Sequence, residues 1–415
     1  MAGACPSGNY PVHGMPPRPR SEIDNAGAPP DYSKVRPLDP VCPMRRFFLL
    51  AIFVAAGTLL SAVGPDAGPA VRLRPPPETT LVGVGDILLG RSLGVIMETT
   101  KDYSMPFRNM EAQLKAADIA FGNLEGPFCG EPPYPGEGMV FRVRPAAIAG
   151  LVHAGFAILN VANNHFDNGG YACMRFSLEH VHHAGIATIG AGETYAEAHR
   201  PAILVRHGVR FAFLGYTYAD LNDTPDAIHP VIAGRNPQHV REDVAAALRQ
   251  ADAVIVSLHD GTEYSARVAR ETEEFCHAAI DAGAAVVLGH HPHVPQRIEQ
   301  YHDGWIFYSI GNFVFQQYTP PEVQTALMAR ITFSGARVER VEAVPLVIEY
   351  HSRPRPSLVA EGAPILARLG LEMPLLWPPA EVALAEAWVA RASPAPPRAA
   401  PAGAHAVSAS LGRAR

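Results

Sequence analysis

Residues 289–296 read GHHPHVPQ, which places three of the chain's 18 histidines at positions 290, 291 and 293. A buried structural histidine needs one hydrogen-bond partner, not two neighbours of its own type. Imidazole at this density suits metal ligation, with a ring nitrogen as donor. A metal needs further ligands, and four other stretches offer them. Asp86 follows TLVGVG, and Asn123 and Glu125 follow DIAFG. Asn163, Asn164 and His165 follow AILNVA, and His259 follows AVIVSL. Each has an ordinary explanation when taken singly. Asp86 would be a helix N-cap, a lone histidine a satisfied polar residue, and His291-Pro-His293 mere loop structure. Five loops that all deliver Asp, Glu, Asn or His make a shared metal centre the better explanation.

Carboxylate oxygens, an Asn carbonyl and imidazole nitrogens suit Mn, Fe or Zn better than Ca, as one or two divalent transition-metal ions. A two-ion centre needs a bridging carboxylate and about 3.5–4 Å between the ions. Asp86 and Glu125 supply fewer negative charges than two divalent ions carry positive ones, so the centre would attract an anion such as phosphate or carboxylate.

The elements that position these residues recur. A helix-like stretch ends in Ala-Gly, a short apolar run follows, then a polar loop. The unit appears at 151–165 (LVHAGFAILNVANNH), 181–192 (VHHAGIATIGAG) and 279–293 (AIDAGAAVVLGHHPH). Gly155, Gly185 and Gly283 suit the left-handed turn that ends a helix. Runs such as FAILNV and AAVVLG are apolar throughout, as in strands covered on both faces. The alternation predicts an α/β fold with its ligand site beyond the carboxyl ends of the strands.

Composition narrows the rest. The chain has 415 residues, 48% of them hydrophobic, and a net charge of −6. It has no basic block, so no nucleic-acid partner is expected. No P-loop is present, which excludes an ATP-dependent ligase step. Cysteines stand at 5, 42, 129, 173 and 276 without a CxxC pair, so a thiolate zinc site is not expected. Cys129 and Cys173 would pair if the body is exported, or remain free buried thiols. Residues 47–63, FFLLAIFVAAGTLLSAV, are uncharged and follow Arg45 and Arg46. They predict one N-terminal transmembrane helix with a cytoplasmic N-terminus, in a single-pass protein of the cell membrane. The alternative is a cleaved signal and secretion. The expected organisation is a disordered Pro-rich cytoplasmic segment at 1–43, the anchor or signal at 44–64, a linker at 65–78, the body at 79–350, and a tail at 351–415. The tail is expected to be partly helical, with AEVALAEAWVARA as a candidate helix, then disordered and rich in Ala and Pro.

The ordered motifs GDILLGR (85–91), GNLEGP (122–127), ANNHFDNGG (162–170), HDGTEY (259–264), GHHPHVPQ (289–296) and YSIGNFVF (308–315) carry a resemblance. Over about residues 80–350 the chain resembles the CapA family of capsule and poly-γ-glutamate synthesis proteins, related to calcineurin-like metallophosphatases. The resemblance implies a four-layer α/β/β/α sandwich with the site on one edge, in an exported, membrane-associated protein. It implies that Asp86, Glu125 and His293 hold one ion. Glu125, Asn164, His259 and His291 would hold the other, with Glu125 as the bridge and His290 as a bystander. The metallophosphatase pattern expects Asp-x-His at the first motif, where this chain has Asp86-Ile-Leu88, so one ligand of the first ion is missing. Asp260 stands where the family commonly has Trp, and Asn168 where it often has Asp, with Asp167 one step early.

If Asn164 faces the metal, its neighbour His165 is free to act as a general acid on substrate; a hydrogen bond within the loop is the competing role. Arg91, Asn123 and Glu263 are the expected substrate contacts. Arg91 would otherwise form a salt bridge, and Glu263 and Tyr264 would otherwise pack beside the pocket. Asn312 is expected to turn a hairpin, with a substrate contact as the lesser role, and EHVHH (179–183) to form a solvated helix face. Three functions compete: a membrane-anchored metal-dependent protein of capsule or poly-γ-glutamate production, a phosphoesterase acting on an envelope phosphate ester, and a non-catalytic polymer-binding subunit. The expected partners are an anionic polymer or phosphate ester, the membrane, and membrane-bound polymer synthase subunits.

Overall fold

The apolar runs that lead to the candidate ligands become strands buried on both faces. In the computed structural model, residues 76–371 are described. One mixed sheet of eight strands runs in the order Arg353–Pro356, Arg337–Glu349, Thr325–Ser334, Glu78–Ile87, Ile119–Leu124, Ile158–Asn160, Ala187–Ile189, with Asn312–Val314 pairing alongside the end of Glu78–Ile87. A second sheet of six strands runs Ile298–Tyr301, Gly304–Phe307, Val286–His290, Ala253–His259, Val209–Thr217, Ala202–Arg206. The strands that end at candidate ligands pair in parallel within each sheet, so their carboxyl ends lie together.

The period-2 pleat explains why the runs are apolar throughout. Val82, Val84, Ala120 and Leu124 face a core shared with the helices Arg91–Thr100, Ile148–Ala154 and Gly170–His183. Leu81, Ile119 and Phe121, one register step away, enter a second core with Phe211, Phe213, Ile255 and Leu288 of the other sheet. Val254, Val256 and Leu258 point the opposite way, onto helices Pro237–Leu248 and Arg270–Asp281. The mixed α/β architecture expected from the alternation is present. Gly155, Gly185 and Gly283 all have positive φ at helix ends, as the sequence pattern requires.

Some expectations need correction. The sheet continues past residue 350, because Arg353–Pro356 pairs with Arg337–Glu349. Helix Val359–Arg368 then packs Ile365 and Leu366 into the core between the sheets. Arg355 bonds Glu349 at 3.0 Å and Glu361 at 2.7 Å, which ties strand and helix together. Asn312 does not turn a hairpin but opens a buried strand. In EHVHH, His182 and His183 are exposed as expected, but His180 is half-buried and stacks on Phe176. Cys129 and Cys173 form a disulfide, and Cys276 is a free buried thiol. The expected anchor at 44–64, the segment before it, most of the linker and the helix at AEVALAEAWVARA lie outside the described residues. Among the described residues, no helix is long and apolar enough to cross a membrane.

Candidate metal centre

Strand Glu78–Ile87 delivers Asp86 to the rim where the two sheets meet. Gly85 makes the approach possible, since a Cβ there would lie 1.8 Å from the Gly311 carbonyl oxygen. Asp86 is fully buried. Its Oδ1 accepts from Asn123 Nδ2 at 2.8 Å, and its Oδ2 lies 3.3 Å from His293 Nδ1. Burial pushes the Asp86 carboxyl up, but His290 and His293 beside it prevail and hold it well below the usual carboxylate range.

Glu125 lies just past strand Ile119–Leu124 and is also fully buried, yet neither carboxylate oxygen has a hydrogen-bond partner among the described residues. Burial, then the negative charge of Asp86, pushes its carboxyl well above the ordinary range. A buried carboxylate without donors is strongly unfavourable in its charged form unless something positive meets it. His291 is 4% exposed, and its Nδ1 is likewise buried and unpartnered. These orphaned atoms lie among carboxylates and imidazoles, and the donor set fits divalent transition-metal ions.

The structure brings the six expected ligands together. Donor atoms of Asp86, Glu125 and His259 lie within 4.8 Å of one another, and so do those of Glu263, His291 and His293. Asn164 Oδ1 accepts from His259 Nε2 at 2.8 Å. The rings of His259 and His291 are 4.8 Å apart. His291 and His293 have φ of 93° and 60°, conformations that non-glycine residues hold mainly where the surroundings impose them. Burial, then the neighbouring His293, lowers His291 to about 4. Burial also lowers His293, but Glu125 and Asp86 outweigh it and raise that imidazole to about 9.

The other site residues divide. Asn123, expected at the substrate, instead positions ligands. It is fully buried, its Oδ1 accepts from Asn160 Nδ2 at 2.9 Å and Asn163 Nδ2 at 3.3 Å, and its Nδ2 donates to Asp86 and to His259 Nδ1. No polar atom of its side chain is left for substrate. Among the described residues, Arg91 forms no salt bridge to a carboxylate. Its Nε donates to the Gly138 carbonyl at 2.8 Å, and the guanidinium lies 4.4 Å over the Phe141 ring. Its charge still acts on Glu125. Phe141 also stacks on His165, with ring centroids 3.8 Å apart. Glu263 is half-buried beside His291 and His293.

His165 lies 3.9 Å from Glu125 through Nε2. Its Nδ1 meets Asn168 Oδ1 at 2.9 Å. That oxygen also accepts the Phe141 backbone N–H, so the His165 Nδ1 carries the hydrogen and Nε2 presents its lone pair. Asn168 thus sets the His165 tautomer, while Asp167 is exposed. Asp260, where an aromatic was expected, is held instead by Arg235 at 2.7 Å and Thr272 at 2.6 Å.

Sequence reasoning missed Asn312. Its Oδ1 lies 2.8 Å from His293 Nδ1, and its Nδ2 donates to the Val323 carbonyl. Groups that orient a ligand in this way typically contribute 10–100-fold to metal affinity. Asn312→Ala is expected to weaken metal binding by about that factor without changing the number of ions, as read by calorimetric titration. Unchanged affinity would remove the positioning role.

Comparison with known proteins adds to this geometry. The chain is 30% identical over 319 residues to the capsule biosynthesis protein CapA of Bacillus anthracis, spanning 74% of this chain and 76% of the relative. It is 31% identical over 243 residues to the PGA biosynthesis protein CapA of Bacillus subtilis, spanning 56% of this chain and 62% of that one. Among solved structures it is similar to a calcineurin-like phosphoesterase of Bacillus subtilis, with a TM-score of 0.40 and 9% identity over 71% of this chain and 97% of the other. The family model for the bacterial capsule synthesis protein PGA_cap matches residues 80–317, more than half of the sequence, and the protein therefore belongs to that family.

Proposed function

We propose that this chain is a membrane-anchored, metal-dependent protein of capsule or poly-γ-glutamate biosynthesis. Its exported domain is a four-layer α/β/β/α sandwich with a metallophosphatase-type centre that hydrolyses a phosphate ester. The observation that carries the reading is Glu125, a fully buried carboxylate with two unpartnered oxygens among imidazoles. Divalent ions held by Asp86, Glu125, Asn164, His259, His291 and His293 would supply Lewis acidity and lower the pKa of bound water toward neutrality. Arg91 adds a fixed positive charge near Glu125 and attracts an anionic substrate. His165 keeps its Nδ1–H on Asn168, so the proton it transfers is carried on Nε2. Burial lowers this imidazole below its ordinary value, so the ring takes a proton on Nε2 from solvent against that cost, gives it to the departing oxygen, and returns to the neutral tautomer that the loop already stabilises. Phe141 fixes the ring by stacking.

The exported placement is supported by Arg45 and Arg46 ahead of the apolar run and by the Cys129–Cys173 disulfide, since such bonds persist in oxidising compartments. A topology reporter fused after residue 75 is expected to read the exported side, and a cytoplasmic signal would overturn it.

Leu88, where metallophosphatases place a histidine, favours a second reading, a polymer-binding subunit without turnover. One experiment separates the two. The full chain, purified in detergent, is assayed for metal content and for chelator-sensitive turnover of phosphomonoesters and phosphodiesters, and for binding of γ-linked glutamate polymer. Turnover abolished by chelator supports hydrolysis; polymer binding without turnover supports the second reading. His165→Asn is expected to keep its metal while slowing esters with poor leaving groups by about 10²–10⁴-fold. Aryl esters with good leaving groups should be nearly unaffected. Equal slowing of both classes would exclude His165 as the acid.

A further inference from the structure

On the metal-centre reading above, we propose that Glu263 is a metal ligand beside His291 and His293, giving the two-ion centre a donor in place of the one that Leu88 does not supply. Leu88 itself supplies no donor. It is fully buried in the apolar cluster with Phe141 and Val143, beside Gly90 and Gly126. A donor must reach the ion from elsewhere, and Glu263 is the carboxylate that does. Its oxygen and the ring nitrogens of His291 and His293 all lie within 4.8 Å of one another.

The loop that carries Glu263 is fixed at both ends against the histidine loop. Asp260 N–H donates to the His290 carbonyl at 3.1 Å, and Tyr264 N–H donates to the Pro292 carbonyl at 2.8 Å. Arg235 and Thr272 anchor the Asp260 side chain, and Gln317 Nε2 donates to the Tyr264 hydroxyl at 2.8 Å. Tyr264 holds φ of 64°, so the turn is imposed by its surroundings. Glu263 therefore stands on a short, doubly clamped arc next to His291, whose buried Nδ1 has no partner. Two imidazoles and one carboxylate form a donor set that Fe(II), Mn and Zn accept. A third carboxylate beside Asp86 and Glu125 also lowers the surplus positive charge offered to an anion.

The test measures metal rather than turnover. The stripped full-length protein is titrated with Mn²⁺ and with Zn²⁺ by calorimetry, and bound metal is counted by elemental analysis. The wild type is expected to take two ions. Glu263→Ala should take one tightly, with the other weakened by more than about 100-fold, beyond the 10–100-fold typical of an orienting partner. Glu263→His, which returns a donor on the same arc, should recover part of that loss. Glu263 is half-buried and at the rim, so metal-free Glu263→Ala should melt as the metal-free wild type does. Wild-type stoichiometry and affinity in Glu263→Ala would overturn the proposal while leaving the centre in place. A wild type that binds neither metal would overturn the centre itself, and the proposal with it.

Discussion

Glu125→Ala is expected to abolish the response of this protein to metal altogether. Adding Mn²⁺ or Zn²⁺ to the metal-free wild type should raise its melting temperature. At an ion concentration 100 times Kd the gain is about 2.7 kcal/mol for each ion, which for a domain of this size is about 4 °C. The same addition to Glu125→Ala should give no rise, and turnover of phosphate esters should fall by several orders of magnitude. The reason lies in the burial of this group. Both Glu125 oxygens are shielded from water and lack donors, so the site is unfavourable until cations occupy it. Asp86 differs, since Asn123 and His293 already contact its oxygens. Removing Glu125 therefore deletes a large negative potential and a large desolvation cost together. In the metal-free state the variant loses no hydrogen bond, so any drop in its melting temperature reflects the cavity it leaves and the lost attraction between Glu125 and His293. Glu125→Gln should fall between the two in metal response, keeping one oxygen donor but no charge. A wild-type metal shift in Glu125→Ala would show that the ions bind elsewhere.

The difference between Glu125 and its neighbours marks what was legible in the sequence. Residue types after apolar runs are local information, and the parallel strands turned that local pattern into one rim. Asp86, Glu125, Asn164, His259, His291 and His293 converge because each sits at the carboxyl end of a strand or in the loop just beyond it. The role of Asn123 was not legible. It depends on Asn160 and Asn163 meeting its amide from another strand, and no local spacing encodes that. Asn312 was misread for a similar reason: Gly311 before it suggests a turn, whereas a third segment packs against Glu78–Ile87 there. The boundary at 350 failed on RPRP, which reads as a loop because of its two prolines. The segment is an edge strand, where a missing N–H is tolerated.

His199 gave no signal in the sequence at all, and its loss is expected to be among the most destabilising single changes in the body. It follows the short helix Tyr195–Ala198 and is 7% exposed. Nδ1 lies 2.7 Å from Asp243 Oδ2, and Nε2 lies 2.7 Å from Asp223 Oδ1. His199, Asp223 and His239 cluster as metal ligands would, but both nitrogens of His199 already face carboxylates as donors, so the ring is an imidazolium. Burial lowers its pKa, yet Asp223 and Asp243 outweigh burial and raise it to about 9. The other groups around the ring are Tyr195, Tyr216 and His239, all in ring contact, with Glu242 near Tyr195. Tyr195 and Tyr216 are both pushed above the ordinary tyrosine value, first by burial, so His199 loses its proton before they do. A raised histidine stabilises the fold fully below its unfolded value of about 6.5 and ceases to do so as pH climbs through about 9. The gap corresponds to about 3 kcal/mol. Urea unfolding of the wild type should therefore lose about that much stability between pH of about 6 and about 10. His199→Ala takes the shared cation from Asp223 and Asp243, leaving them, among the described residues, only the Gly234 N–H and the Tyr216 hydroxyl as donors, and should cost about 3–5 kcal/mol at neutral pH, the usual effect of removing one partner from a buried ion pair. It should also be nearly flat across the alkaline range where the wild type declines. If His199→Ala declines in parallel with the wild type, the imidazolium bridge is not what titrates, and another group governs alkaline unfolding.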